Sequence, residues 1–290
     1  MTREDFLKLT QKTLLLDGAT GSNLMAKGMP RGVCTELWVL EHKEIIQELQ
    51  KAYVDAGSRI IYAPTFGANR INLTDRGIAD RIEELNHTLV GYAKEAAGTK
   101  AYVAGDITTS GKIIAPDSGY TYDMAFQNYQ EQIRILNDAG VDCIIAETMI
   151  NIEETLAAVD AARTVCELPI MCSMTVEADG SIFSGGNAIE AAVALESAGA
   201  DAVGINCSVG PDQLVSIVRN LKECVSIPVL VKPNAGMPLI DDLGNAIYSM
   251  DAASFAKHMK VLVENGANII GGCCGTTPEF IRKTAELLNL

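Results

Sequence analysis

LESAGADAVGINCS, residues 195–208, joins the end of a predicted helix to an apolar run through a single glycine. Glycine in this position is typical of a left-handed helix C-terminus, and an apolar run without alternation is typical of a parallel strand buried on both faces. The same order of helix end, glycine and apolar run recurs at 51–66, 137–148 and 263–274. This repetition predicts helices that alternate with parallel strands.

Further apolar runs bring the predicted strands to eight, with amphipathic stretches of helical spacing between them. Eight of each is the count of a (β/α)8 TIM barrel, an α/β fold whose usual length of about 250 residues leaves room here for longer loops. A doubly wound open sheet is the nearest alternative. The additional runs lie at residues 14–18, 101–106, 169–176 and 228–234.

No shift in composition and no linker divides the chain, so a single domain over residues 1–290 is predicted. Longer insertions are expected at 108–122, after the third strand, and at 235–250, after the seventh. Active sites of barrels occupy the C-terminal ends of the strands, so chemistry is expected in the segments that follow them. Polar or glycine-rich residues stand there at 17–21, 65–69, 106, 147–148, 206–208, 233–234 and 271–275.

The composition narrows the class of protein. Asp and Glu outnumber Lys and Arg by 37 to 23, which gives a formal net charge of −14 over 290 residues. Nucleic acid and an anionic membrane surface are therefore not expected as partners. The N-terminus mixes charged with apolar residues, unlike a signal peptide, and no stretch approaches the roughly 18 apolar residues of a membrane span. We expect a cytoplasmic protein.

The eight cysteines are then expected to be free thiols, because the cytosol is reducing. Cys143 and Cys172 lie inside apolar runs and are predicted to be buried core residues. Structural or incidental roles are predicted for Cys34, Cys166 and Cys224. The cysteines left for chemistry are Cys207, Cys273 and Cys274.

These three cysteines follow strands that meet at one rim of a barrel: Cys207 after the sixth, Cys273 and Cys274 after the eighth. The flanking glycines permit the tight backbone bend that two adjacent ligands need. Three thiolates suit Zn²⁺, and three protein ligands leave the fourth tetrahedral position open, as in catalytic sites. An oxygen such as that of Asn234 is a candidate fourth ligand when no substrate is bound.

Other interpretations of the thiols stay open. They are alternatively buried core residues or a redox pair, although a disulfide between adjacent cysteines is strained and the flanks do not resemble C-x-x-C. Glycines before a Thr-Pro helix start after the eighth strand also resemble the phosphate site of barrels. If zinc is bound, a substrate thiol is expected to bind as thiolate, and three charge-donating ligands keep its sulfur nucleophilic. The residues thus favour activation of a small thiol for alkyl transfer.

Six motifs stand at or near strand ends: LLLDGATGS (14–22), APTFGANR (63–70), IIAET (144–148), GINCS (204–208), PNAG (233–236) and GGCCGTTPEF (271–280). Together they resemble the homocysteine S-methyltransferases, and most closely the N-terminal homocysteine-binding module of cobalamin-dependent methionine synthase. The resemblance spans essentially the whole chain, and its most specific part is the GINC and GGCC pair. It implies the barrel fold, homocysteine as substrate, and zinc held by Cys207, Cys273 and Cys274.

The resemblance also implies which residues hold the amino acid end of the substrate. The carboxylate of Glu147 is expected to bind the ammonium group, and backbone N–H groups of a glycine-rich loop to bind the carboxylate. A structural role for Asp17, as an acceptor that fixes this loop, stays open. The candidate substrate-binding residues are Asp17, Gly18, Ala19, Thr20, Glu147, Asn206 and Asn234.

The sequence indicates the methyl donor less directly than it indicates the acceptor. The chain reads GDITTSG at 105–111 where relatives read GDIGPTG, which leaves the shape of that part of the mouth open. No folate-binding or cobalamin-binding region is expected in these 290 residues, so the donor must come from elsewhere. We expect methylcobalamin or another methylcorrinoid on a separate protein, or else a small sulfonium such as S-methylmethionine. The non-enzymatic alternative is a zinc and thiol-binding module that acts only with a partner chain.

Overall fold

The structure is a computed structural model and describes residues 1–240 and 246–290. Its strands are β1 (Leu14–Leu15), β2 (Ile60–Tyr62), β3 (Tyr102–Ile107), β4 (Cys143–Met149), β5 (Ile170–Met174), β6 (Ala202–Asn206), β7 (Val229–Lys232), β8 (Pro238–Ile240), β9 (Ala246–Tyr248) and β10 (Ala267–Ile270). In these ranges eight strands form one parallel sheet in the order β1, β10, β7, β6, β5, β4, β3, β2. A parallel bridge between Leu16 and Ile60 closes the sheet. The (β/α)8 prediction is confirmed, and the open-sheet alternative is wrong.

Helices alternate with the barrel strands, and the predicted glycines end four of them. Gly57, Gly140, Gly199 and Gly266 have φ of 110, 82, 100 and 113°, the left-handed region that glycine enters without steric cost. None of the described helices is both long enough and apolar enough to span a bilayer. The helices are α1 (Arg3–Leu9), α2 (Gly21–Ala26), α3 (Thr35–Glu41), α4 (Lys43–Asp55), α5 (Arg70–Asp75), α6 (Ile82–Ala97), α7 (Tyr122–Asp138), α8 (Ile152–Val165), α9 (Ala188–Ser197), α10 (Val215–Cys224), α11 (Ala252–Glu264) and α12 (Pro278–Leu288).

The core has an inner and an outer layer. Side chains such as Leu230 fill the barrel interior, and a larger cluster packs between the strands and the helices. Phe6 of α1 is fully buried in the inner cluster, so this helix, which the sequence analysis does not predict, closes the N-terminal end of the barrel. Cys143 lies in the inner layer and Cys172 in the outer layer, both fully buried, which confirms them as core residues.

The described parts of the two expected insertions follow the C-terminal ends of β3 and β7. The first is a loop between β3 and α7, held by the buried carboxylate of Glu154, which accepts from Thr109 Oγ1 at 2.6 Å and from Ser110 N at 2.9 Å. The second contains the antiparallel hairpin of β8 and β9. Residues 241–245 of the insertion predicted at 235–250 lie outside the described residues. The single-domain organisation over 1–290 stays a prediction.

Candidate active site

A cavity of about 1020 Å³ opens at the C-terminal ends of the barrel strands. Cys207, Cys273 and Cys274 line it on one side, and Glu147 and Lys232 line its floor. Parallel strands bring their C-terminal ends to one rim, which is why residues far apart in sequence meet here.

The three sulfur atoms form one cluster. All three Sγ atoms lie within 4.8 Å of one another, and Cys207 Sγ is 3.5 Å from Cys274 Sγ. Cys207 turns inward through a left-handed backbone, with φ of 51°. The other two are fixed by backbone hydrogen bonds across the rim, from Cys273 N to Pro233 O at 2.7 Å and from Ala235 N to Cys274 O at 2.9 Å.

The glycines beside the cysteines allow the close approach that the sequence predicts. A Cβ on Gly272 would lie 2.4 Å from Thr276 Oγ1. Gly275 has φ of 81°, and a Cβ there would lie 2.3 Å from the ring of Tyr248. Real Cβ contacts are not this short, so a side chain at either position would displace the turn that carries Cys273 and Cys274.

The pKa values of the clustered thiols differ. Hydrogen bonds with Cys207 and Cys273 lower the pKa of Cys274 to about 3. Hydrogen bonds with Cys207 and Cys274, together with burial, raise the pKa of Cys273. One thiolate is thus stabilised by two neighbouring thiols. A cluster that already carries negative charge and offers three soft sulfur atoms suits a soft or borderline metal cation.

Lys232 is a buried cation that the sequence analysis missed. Its side chain is 3% exposed, and its Nζ lies 2.9 Å from Asp17 Oδ1 and 3.8 Å from Glu147 Oε2. The ammonium group also lies 3.6 Å from the ring centroid of Tyr62. Lys232 stands two positions after Leu230, which faces the barrel interior, so it faces inward as well. The available signal was a lysine at the end of the apolar run PVLVKPN.

Around Lys232, three carboxyl groups of the described residues, those of Asp17, Asp106 and Glu147, lie close enough to affect its charge or one another. Burial raises the pKa of Glu147 to about 7 even though Lys232 acts in the opposite sense, and burial and the charge of Glu147 raise the pKa of Asp106. Among the described residues, Asp106 Oδ1 and Glu147 Oε2 are buried without a hydrogen-bond partner. Buried carboxyl oxygens without a hydrogen-bond partner favour binding of a further cation that carries hydrogen-bond donors.

The predicted residues of the substrate loop divide into two groups. Gly18, Ala19 and Thr20 line the cavity, whereas Asp17 is 2% exposed and lies behind it. Asp17 accepts from Tyr62 N at 2.7 Å as well as from Lys232, which are contacts that a loop-fixing acceptor would make, and its role stays a prediction. The Ala19 N–H already donates to a side chain, Thr276 Oγ1, at 3.1 Å.

The two predicted asparagines also lie behind the lining. Asn206 is 1% exposed and bonds to Thr148, through Oδ1 to the backbone N–H and through Nδ2 to Oγ1. Asn234 is 5% exposed and donates through Nδ2 to Ser208 O at 3.2 Å. Its Oδ1 is buried and has no hydrogen-bond partner among the residues that the structure describes.

Comparison with known proteins decides the family. Residues 14–288 match the family described as homocysteine S-methyltransferase. The chain belongs to this family. It is a methyltransferase, as the sequence analysis predicts. It is 32% identical to methionine synthase of Mycobacterium tuberculosis, over 96% of this chain and 25% of that protein, and 31% identical to methionine synthase of Mycobacterium leprae, over 96% and 24%. The chain thus spans about a quarter of the length of these relatives.

Solved structures of similar shape include the homocysteine methyltransferase MmuM of Escherichia coli. Its oxidized form superposes with a TM-score of 0.82 at 22% identity, covering 99% of this chain and 100% of that one. Its metallated form gives 0.78 at 22% identity, covering 98% and 99%. This likeness concerns the fold, and it agrees with the closed barrel.

Proposed function

We propose that this chain transfers a methyl group to the sulfur of homocysteine, giving methionine, and that zinc held by Cys207, Cys273 and Cys274 activates the sulfur. The observation that carries the proposal is the cluster of three thiols at the rim of a cavity whose floor is rich in carboxyl groups. Membership of the homocysteine S-methyltransferase family supports the substrate.

The geometry of the thiols fits zinc. Tetrahedral ligands at about 2.3 Å from the ion stand about 3.8 Å apart. The 3.5 Å between Cys207 Sγ and Cys274 Sγ lies close to that value, and no two of the three sulfur atoms are more than 4.8 Å apart. The buried Oδ1 of Asn234, which has no hydrogen-bond partner within residues 1–240 and 246–290, is the candidate fourth ligand before substrate arrives. When bound, zinc would lower the pKa of the substrate thiol so that its sulfur is held as a thiolate. MmuM, which has a similar fold, has been solved in a metallated form, and this further supports a bound metal in this chain.

The chain's own residues would hold the amino acid end of homocysteine. Its ammonium group fits beside Glu147 Oε2 and Asp106 Oδ1, two buried atoms that have no hydrogen-bond partner in the described part of the chain. An arriving cation would lower the pKa of Glu147 and release its proton. Gly18 and Thr20 line the cavity, and their backbone N–H groups are the partners that we propose for the substrate carboxylate. Asp17 would act through Lys232, by keeping that cation in place between the two carboxyl groups.

The mouth of the cavity supports a bulky methyl donor. Three apolar residues that line it, Met25, Val33 and Phe66, are also exposed, and the neighbouring hairpin exposes Leu239 and Ile247. A methylcorrinoid on a separate protein would cover such a surface. In the transfer, the sulfur attacks the methyl carbon in line, the bond from that carbon to the donor breaks, and its electron pair leaves with the donor.

Turnover of the zinc-loaded chain tests the proposal. We expect methionine to form from L-homocysteine and free methylcobalamin, with no product when homocysteine is omitted, and we expect S-methylmethionine to be a poorer donor. Methionine would be measured by mass spectrometry. If homocysteine is methylated by S-methylmethionine and not by methylcobalamin, the assignment of the donor is reversed. Homocysteine binding without turnover from either donor would instead favour the module that acts only with a partner chain.

A further inference from the structure

Two residues beside the cavity have an unusual backbone. Thr148 and Cys207 have φ of 57 and 51°, in the left-handed region that side chains other than glycine rarely enter. For Thr148, which is branched at Cβ, this conformation is especially unfavourable. Such residues persist only where the surrounding structure holds them, and they concentrate at functional sites.

The backbone at Thr148 changes which side chains face the cavity. Consecutive residues of a regular strand point to opposite faces, yet Glu147 and Thr148 both line the cavity. Ala146 pairs with Cys172 and Met149 with Met174, so β4 has one more residue than β5 between these pairs. The extra residue is a β-bulge, which bends a strand and re-aims its side chains.

Asn206 holds this bulge. Its Oδ1 accepts from the Thr148 N–H at 2.8 Å and from Ser173 Oγ at 2.7 Å, and its Nδ2 donates to Thr148 Oγ1 at 2.8 Å. One amide group therefore fixes both the backbone and the side chain of the strained threonine. Asn206 is 1% exposed and Thr148 is half-buried, so water has limited access to these bonds.

The same amide group also reaches the thiol cluster. Asn206 Nδ2 lies 4.0 Å from Cys273 Sγ, and Asn206 directly precedes Cys207. Asn206 thus stands between the bulge that carries Glu147 and two of the three clustered cysteines. Its burial behind the lining differs from the direct substrate contact that the sequence analysis predicts.

We propose that Asn206 is a positioning residue, which holds the β4 bulge at Thr148 and thereby keeps Glu147 facing the ammonium group of the substrate. The inference rests on the proposed function, because it takes homocysteine as the ligand. It assigns to Asn206 a role in recognising the amino group rather than in binding the thiol.

Two ligands separate these roles. L-homocysteine carries the amino group, whereas 4-mercaptobutyrate has the same chain, thiol and carboxylate without it. We expect Asn206→Ala to weaken homocysteine binding by about tenfold or more, because a charged hydrogen bond at Glu147 is lost, and to leave the affinity for 4-mercaptobutyrate nearly unchanged. Both dissociation constants would be measured by calorimetry on protein that carries one zinc per chain.

Matched variants keep the test decisive. Asn86→Ala removes another fully buried amide, which bonds to Ala68 O and Ile82 O, and should change neither affinity. If Asn206→Ala does not fold, Ser173→Ala loosens the same amide and should give a smaller loss confined to homocysteine. An equal loss for both ligands, or no loss for either, would overturn the inference. Failure of wild-type protein to bind homocysteine would overturn the proposed function instead.

Discussion

Cys273→Ser is expected to purify without zinc and to form no methionine. A serine hydroxyl stays protonated at neutral pH and is a poor ligand for a borderline metal, so two thiolates would remain of the proposed three. Changes to residues that merely support a ligand cost about 10- to 100-fold in metal affinity, and loss of a ligand should cost about a thousandfold or more. Metal analysis of the purified variant and competition with a chelator would measure the loss.

Cys224→Ser is the control for this variant. Cys224 is an exposed residue at the end of α10, so its replacement should leave one zinc per chain and full turnover. A Cys273→Ser protein that keeps one zinc per chain would contradict the assignment of the ligands. A wild-type protein that takes up no zinc would return Cys273 and Cys274 to the redox or phosphate-loop interpretations.

Lys232→Met is expected to lower the free energy of unfolding by about 3–5 kcal/mol, the usual cost of leaving a buried charge without its partner. Asp17 would lose its ion pair at 2.9 Å in a site where both side chains are 3% exposed. The hydrocarbon part of methionine fills a similar volume, so the lost charge rather than a cavity would dominate the change. Urea unfolding at neutral pH would measure it.

Two further variants show whether charge is the cause. Lys100→Met breaks an ion pair with Asp55 in which both side chains are mostly exposed, and it should change stability little. Asp17→Asn combined with Lys232→Met removes both charges and should recover much of the loss. A Lys232→Met protein as stable as wild type, or a double variant less stable than the single one, would contradict the electrostatic account.

Local sequence patterns predicted the framework of the molecule well. The order of helix, glycine and apolar run recurs because each βα repeat has to end a helix and then bury a strand. A glycine such as Gly199 or Gly266 marks the point where the helix ends and the strand follows. The cysteines at two strand ends could be placed at one rim because a barrel brings the C-terminal ends of all its strands together. The exception is α1, which closes the barrel through one buried side chain, Phe6, and has no repeating pattern.

The interactions between strands could not be predicted in the same way. Lys232 and Asp17 are 215 positions apart, and their pairing exists only once the barrel has closed. Nothing in the residue type of Thr148 indicates a left-handed backbone, because threonine ordinarily avoids it. The role of Asn206 depends on that bulge, and its sequence position beside Cys207 indicated only that it was near the site.

Proton release on binding of homocysteine tests the central claim most directly. Calorimetry at pH 7 in buffers of different ionisation enthalpy gives the number of protons released per ligand bound. A free thiol with a pKa of about 8.5 is mostly protonated at this pH, so binding as thiolate predicts about one proton, and up to about half of another from Glu147. Glu147→Gln should remove that extra fraction. Homocysteine binding without proton release, or with the same release after zinc has been removed, would contradict thiolate activation at the cysteine cluster.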